Sequence, residues 1–246
     1  MVERDTLIRF LNDYLKIDEF DDYGPQGLQV EGKASVEKIV TAVSASLQLF
    51  EQAAATGADM IIVHHGILWD RQSSVVKGGF KNRLHALLSS DISLLAYHLP
   101  LDKHPDIGNN VLAAKQLELR HIEPFGQIGF MGTSEPMTFE ELLAQVRKLY
   151  KSDPLIFPYG PDEITRIGIC SGGCQRDIAL AIDSGLDAFI TGEVSESTMH
   201  SAKEGHIHFI SAGHYATERL GIQALGDLVR EEFKVEVSFL DIPNPV

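Results

Sequence analysis

Long apolar runs are missing from this chain. None approaches the ~20 residues a membrane-spanning helix needs, and Met1-Val2-Glu3-Arg4-Asp5 reads as a helix entry rather than a signal-peptide core. Cysteine is scarce: Cys170 and Cys174 are the 2 present, too few for a disulfide framework. Basic runs are absent as well. Lys and Arg number 21 against 35 Asp and Glu, a formal net charge of -14. That field repels phosphate backbones and disfavours general nucleic-acid binding, while an excess of carboxylates favours cations. Together these absences point to a cytoplasmic protein. What remains is 246 residues, 44% hydrophobic and 23% charged, a globular mix with material for a real core. The length suits one large domain or two of ordinary size.

An apolar run at 58–62 reads as a buried strand and ends in Val63-His64-His65-Gly66. Successive strand side chains point to opposite faces. The two imidazoles therefore reach one point only if the backbone turns, which Gly66 would permit, or else they serve two points close together. Imidazole is the commonest metal ligand, and a solvated loop is the plainer alternative. Around this stretch, apolar periodicity predicts helices over 5–16, 47–55, 109–117 and 139–150 and strands over 39–43 and 92–97. Gly78-Gly79 opens a further helix. The segments 22–28 and 154–161 read as loops, and 124–136, with its glycines and two prolines, as a boundary. Alternation resumes with strands at 166–170, 188–191, 207–211 and 235–242 and helices at 174–184, 195–203 and 216–233. The pattern predicts an α/β fold: two similar domains, 1–125 and 126–246, or one continuous unit, with mostly parallel sheets facing each other across a metal-containing cleft.

The two halves share a pattern. Gly57-Ala58-Asp59 precedes one strand as Gly185-Leu186-Asp187 precedes another. One strand ends at His64-His65, the other at Gly192-Glu193. Past the next strand, His98 precedes Asp102 as His214 precedes Glu218. Internal repetition predicts related units, although Gly-x-Asp is also ordinary turn grammar. In open parallel sheets ligands bind beyond the carboxyl ends of strands. His64, His65, His98, Asp102, Glu193, His214 and Glu218 all fall at such ends. Mixed imidazole and carboxylate donors suit Zn, Mn, Fe or Ni, and donors from two halves suit a two-metal site. Glu218 falls near the start of the long helix at 216–233, where the dipole favours a carboxylate.

Cys170-Ser171-Gly172-Gly173-Cys174 lacks the Cys-x-x-Cys spacing, which weakens redox and zinc readings. Its glycines lie where backbone amides can hold phosphate; simple chain reversal is the plain alternative.

Four motifs in order, Ile62-Val63-His64-His65-Gly66, Tyr97-His98-Leu99-Pro100-Leu101-Asp102, Ile190-Thr191-Gly192-Glu193 and Gly213-His214-Tyr215-Ala216-Thr217-Glu218, resemble the NGG-interacting-factor-three-like family. Its bacterial members are often named GTP cyclohydrolase type-two homologues. The likeness extends to Gly24-Pro25-Gln26-Gly27-Leu28 and to Asp241-Ile242-Pro243-Asn244-Pro245. The resemblance implies a two-domain α/β protein holding two divalent metal ions per subunit on His64, His65, Asp102, His214 and Glu218, and a toroidal homohexamer. The inserted domain of some relatives is lacking here. His98 and Glu193 fall near the metals and are candidate proton carriers. The implied activity is nucleotide hydrolysis, with opening of the GTP ring and release of formate. Other or damaged nucleotides, and a non-enzymatic toroidal scaffold, are the alternatives.

Overall fold

The computed structural model describes residues 1–246 as two compact units. Met1–Leu101 and Gly221–Pro243 form the first, Asp102–Leu220 and Asn244–Val246 the second. In the first, β1 (Val2–Glu3) leads to α1 (Arg4–Leu15), β2 (Gly27–Val30), β3 (Ser35–Val36), β4 (Lys38–Ser44), α2 (Leu47–Ala55), β5 (Met60–His65), α3 (Gly78–Ser89) and β6 (Ser93–Ala96). A short helix, α4 (Leu99–Lys103), carries the chain past Leu101. The second unit follows with α5 (Asn109–Gln116), β7 (Arg120–Phe125), β8 (Gly129–Met137), α6 (Phe139–Tyr150), β9 (Leu155–Pro158), β10 (Ile164–Cys170), α7 (Ile178–Asp183), β11 (Ala188–Thr191), α8 (Thr198–Glu204), β12 (His208–Ser211) and α9 (His214–Thr217). Then α10 (Arg219–Phe233) and β13 (Glu236–Phe239) return the chain to the first unit. The position 125/126 expected as a boundary falls at the end of β7, inside the second unit. No helix is long and apolar enough to cross a membrane.

The fold is α/β, with two sheets built around parallel strands. The first unit's sheet runs β13-β4-β5-β6-β2, and all its pairs are parallel except the last. The second runs β7-β8-β10-β11-β12-β9, with β10, β11 and β12 parallel and antiparallel strands on either side. Alternation along the strands sorts each core into layers. Val40, Ala42, Ile61, Val63, Leu94 and Ala96 pack with Leu49, Phe50 and Leu87 of α2 and α3. On the opposite face, Gly226 of α10 lies so close that an added Cβ would meet Thr41 at 3.2 Å. In the second unit, Ile167, Ile169, Ala188, Ile190 and Ile210 pack with Leu142, Val146 and Tyr150 of α6. Thr138 and Glu141 form a capping box that starts that helix.

The repetition seen in the residues is a repetition of hydrogen bonds. Asp59 Oδ2 accepts the amides of Glu37 and Lys38 at 3.0 and 3.1 Å, and Asp187 Oδ2 accepts those of Thr165 and Arg166, both at 2.8 Å. Each aspartate thus ties the start of its unit's first parallel strand. Gly57 and Gly185 ahead of them both adopt positive φ, 75° and 66°. The Ser93 amide bonds Asp59 O as the His208 amide bonds Asp187 O, at 3.0 and 2.9 Å. Even the antiparallel flank recurs: β2 lies beside β6 as β9 lies beside β12.

Several expectations change. The segment read as a loop at 22–28 ends inside β2, the one at 154–161 contains β9, and 124–136 lies largely in the β7–β8 pair. Glycine and proline hide these strands. β2 and β9 are edge strands, where such residues are tolerated. The helix expected at 216–233 is broken: Glu218, at φ -109° and ψ 11°, separates α9 from α10. The two His-x-x-x-acid motifs are one residue out of register. The Tyr97 amide bonds Val63 O as the Ala212 amide bonds Thr191 O, so His98 corresponds to Gly213 and not to His214.

Candidate metal centre

In the first unit three imidazoles gather at strand ends. β5 does not turn before its histidines; the ladder continues to His65, which pairs with Ser44. The rings converge nonetheless, with centroids of His64 and His65 at 4.7 Å, His64 and His98 at 5.1 Å, and His65 and His98 at 5.4 Å. One ring nitrogen from each lies within 4.8 Å of the others. Gly66 contributes space rather than a left-handed turn: a Cβ there would strike Gln29 Oε1 at 2.2 Å. That same oxygen accepts the Ile67 amide at 2.8 Å, which shapes the loop after the histidines.

Each ring is held from behind. His64 Nδ1 lies 2.9 Å from Tyr97 O; a carbonyl only accepts, so Nδ1 carries a proton, and in the neutral ring Nε2 carries the lone pair. His65 Nδ1 and Ser44 Oγ are 3.0 Å apart. His98 Nδ1 bonds Asp22 Oδ1 at 2.7 Å, the Leu99 amide donates to Asp22 Oδ2, and the His98 amide donates to Gln26 Oε1 at 2.7 Å. Burial raises the Asp22 pKa, but His98 and the Tyr23 and Leu99 amides outweigh it and hold the carboxyl below its ordinary value. Nothing in the residue types or spacing of Asp22 and Gln26 marks them as site residues. The one signal was the glycine- and proline-containing loop that carries them.

In the second unit two buried carboxylates and one imidazole stand on short helices and the break between two of them: Asp102 in α4, His214 at the start of α9 and Glu218 between α9 and α10. Asp102 Oδ1 accepts Asn109 Nδ2 and Ser171 Oγ, both at 2.8 Å. His214 Nδ1 lies 2.7 Å from Glu193 Oε1 and Nε2 lies 3.1 Å from Glu218 Oε1. Burial lowers the His214 pKa; bonds and charge from Glu218 and then Glu193 outweigh it and push it up to about 9. A cation binding at Nε2 must displace that proton. Gly172, at φ 65°, is the floor of this arrangement: a Cβ would lie 2.2 Å from Glu218 Oε1 and 3.1 Å from His214 Nε2. Asn109, Asn110, Ser171 and Thr217, which hold the loops here, are polar residues with no distinguishing signal in the chain.

The cysteine loop departs from the reading given to it. Cys170 and Cys174 are joined as a disulfide, with Cα atoms 5.8 Å apart. The Ser171 amide donates to Asn110 Oδ1 at 2.7 Å and the Gly172 amide to Thr217 Oγ1 at 3.0 Å. Those two amides are engaged within the unit and do not form a phosphate nest.

Fold and donors define a class: an α/β protein made of a repeated unit, with side chains suited to divalent metal at the strand ends of each copy. The chain belongs to the Duf34/NIF3 (NGG1p interacting factor 3) family, whose model matches residues 2–245. It is 46% identical over 245 residues to the GTP cyclohydrolase 1 type 2 homolog of Haemophilus influenzae, covering 97% of this chain and 98% of that one. The Escherichia coli K12 protein of the same name is 44% identical over 246 residues, with 97% and 98% covered. Among solved structures, the protein ybgI, described as of unknown function, matches with a TM-score of 0.96 at 43% identity over 100% of both chains. Reduced HcgD from Methanocaldococcus jannaschii, at 23% identity, 98% coverage of each chain and a TM-score of 0.89, shares the fold.

Proposed function

We propose that this chain is a metal-dependent hydrolase acting on a nucleotide, with His64, His65, Asp102, His214 and Glu218 as ligands to two divalent ions. The observation that carries the reading is the chemistry of the donors: three converging imidazoles in one unit, and in the other a His–Glu pair over a glycine that leaves no space for a side chain. Imidazole and carboxylate together fit Zn, Mn, Fe or Ni. Such ions, when bound, lower the pKa of water and polarise an electrophilic carbon.

The chain's own groups orient and move protons. The Tyr97 carbonyl fixes the His64 ring, while Asn109 and Ser171 fix the Asp102 carboxylate. Asp22 holds the Nδ1 proton of His98, leaving Nε2 to accept a proton from water or deliver one to a leaving nitrogen. Glu193 accepts from His214 Nδ1 in the same way and orients that ring. The names of the relatives point to GTP as substrate; in the proposed reaction the purine ring would open at C8 and formate would be released, and other or damaged nucleotides belong to the same class. Assembly as a toroidal homohexamer is part of the proposal.

Elemental analysis of protein purified without added metal should find about two ions per chain. Metal-loaded protein should release formate from GTP, and His64→Ala and Asp102→Asn should abolish release with circular dichroism unchanged. Turnover of another nucleotide in place of GTP would correct the substrate. No turnover on a nucleotide panel, with assembly lost in the same variants, would replace the enzyme with a metal-dependent scaffold.

A further inference from the structure

The loop from Cys170 to Cys174 has a counterpart in the first unit. Counting from Asp59 and Asp187, Cys170 corresponds to Ala42 and Cys174 to Ser46, which caps α2 through the Leu49 amide. The first unit makes the same strand-to-helix turn with no sulfur, so chain reversal does not require the crosslink. What the crosslink encloses is particular to the second unit. Ser171 Oγ donates to Asp102 Oδ1, the Gly172 amide donates to Thr217 beside Glu218, and Gly172 abuts the Glu218 carboxylate. The two sulfurs close a ring around the groups that position both carboxylates.

We propose that Cys170 and Cys174 form a reversible thiol–disulfide site whose closure stiffens the grip on Asp102 and Glu218. Its partner is a small-molecule thiol–disulfide couple. Cys174 is half-buried and followed by exposed Arg176, whereas Cys170 is fully buried, so the incoming thiolate attacks Cys174 Sγ. The S–S bond breaks and Cys170 leaves as a thiolate that takes a proton. A second thiolate then attacks the mixed disulfide at the external sulfur and releases Cys174. Two external thiols become one disulfide, and the protein gains two thiols; closure is the reverse. Asp177 Oδ2, 3.9 Å from Cys170 Sγ, accepts from the Cys170 thiol in the open form.

The link to metal rests on the function proposed above; the thiol chemistry does not. The test equilibrates the folded protein in graded dithiol–disulfide buffers, quenches with acid and counts alkylated cysteines by mass spectrometry. Two thiols should appear together and disappear on reoxidation; cysteines that stay oxidised, or stay reduced, across the whole range overturn the site. Binding is then read with Mn²⁺ by electron paramagnetic resonance, because thiolates favour softer ions. The oxidised protein should bind about tenfold more tightly or better, the effect of an outer partner on a ligand. Cys174→Ser should match reduced wild type and ignore oxidant. Equal affinity in the two states overturns the coupling. If neither state binds Mn²⁺, the metal reading fails, and hydrogen exchange of the 171–173 and 217–218 amides decides: slower exchange when oxidised upholds the stiffening, equal exchange overturns it.

Discussion

Val63 and Thr191 stand at the same place in the two units, and the chemistry diverges just beyond them. The strand that contains Val63 continues into His64 and His65; the one that contains Thr191 ends there, and the chain passes into Gly192 and Glu193 outside the ladder. Where the first unit has Ser44 bonded to His65, the second has Gly172 beneath Glu218. One unit therefore presents imidazole donors, and the other mainly carboxylate ones. The shared part is the scaffold: the aspartate that ties the strand start, the left-handed glycine before it and the three parallel strands. Duplicated backbone sets where donors fall, and substitution at the strand ends sets what they are.

That division can be broken by experiment. The largest effect belongs to Gly172→Ala, which combines a left-handed backbone with a Cβ 2.2 Å from Glu218 Oε1. Thermal unfolding should show a loss of roughly 3 kcal/mol or more. Gly57→Ala and Gly185→Ala have open space around the new methyl and should each cost only about 1 kcal/mol. A mild Gly172→Ala would mean that the loop yields, and the contrast between scaffold and site would dissolve.

Asp59→Ala and Asp187→Ala sharpen the other half of the comparison. Each removes a carboxylate that accepts two backbone amides, and each should cost about 2 kcal/mol by denaturant unfolding. Unequal losses would show that the matching bonds do unequal work. Asp59 also has a pH signature. Burial raises its pKa, but Lys33 and the Glu37 and Lys38 amides outweigh it, so the folded value lies below 3.8. Its contribution is complete above that pH and disappears as pH falls through the folded value. The stability gap between wild type and Asp59→Asn should therefore close in acid.

Smaller effects separate the two carboxylate–imidazole pairs. Asp22→Asn and Glu193→Gln leave shape intact but weaken the acceptor behind His98 and His214. Glu193→Gln should reduce metal affinity about 10-fold. Asp22→Asn should lower turnover with metal content unchanged, because His98 is assigned to proton movement. Loss of metal in Asp22→Asn would make His98 a ligand.

Much of this was legible in the chain because apolar runs and punctuation agree locally. The run before His64 is a strand, and Gly-x-Asp marks both copies of the repeat. β7, β8, β9 and β2 were not legible, since their glycines and prolines mimic loop and only pairing makes them strands. Nor was the break at Glu218, because the apolar spacing runs through it. Partners such as Asp22 for His98, 76 residues apart, leave no local trace. The resemblance narrowed seven candidate donors to the five proposed as ligands, and geometry supplied what orients them.

The return of α10 and β13 to the first unit sets an order of completion during synthesis. Apart from its last three residues, the second unit has emerged once Leu220 leaves the ribosome. At that moment the first unit still lacks β13, one of the two strands beside β4, and the helix that packs over Thr41. The unit whose strands are made first is the later one to finish, and a nascent chain stalled after Leu220 exposes one edge of β4 as a template for aggregation.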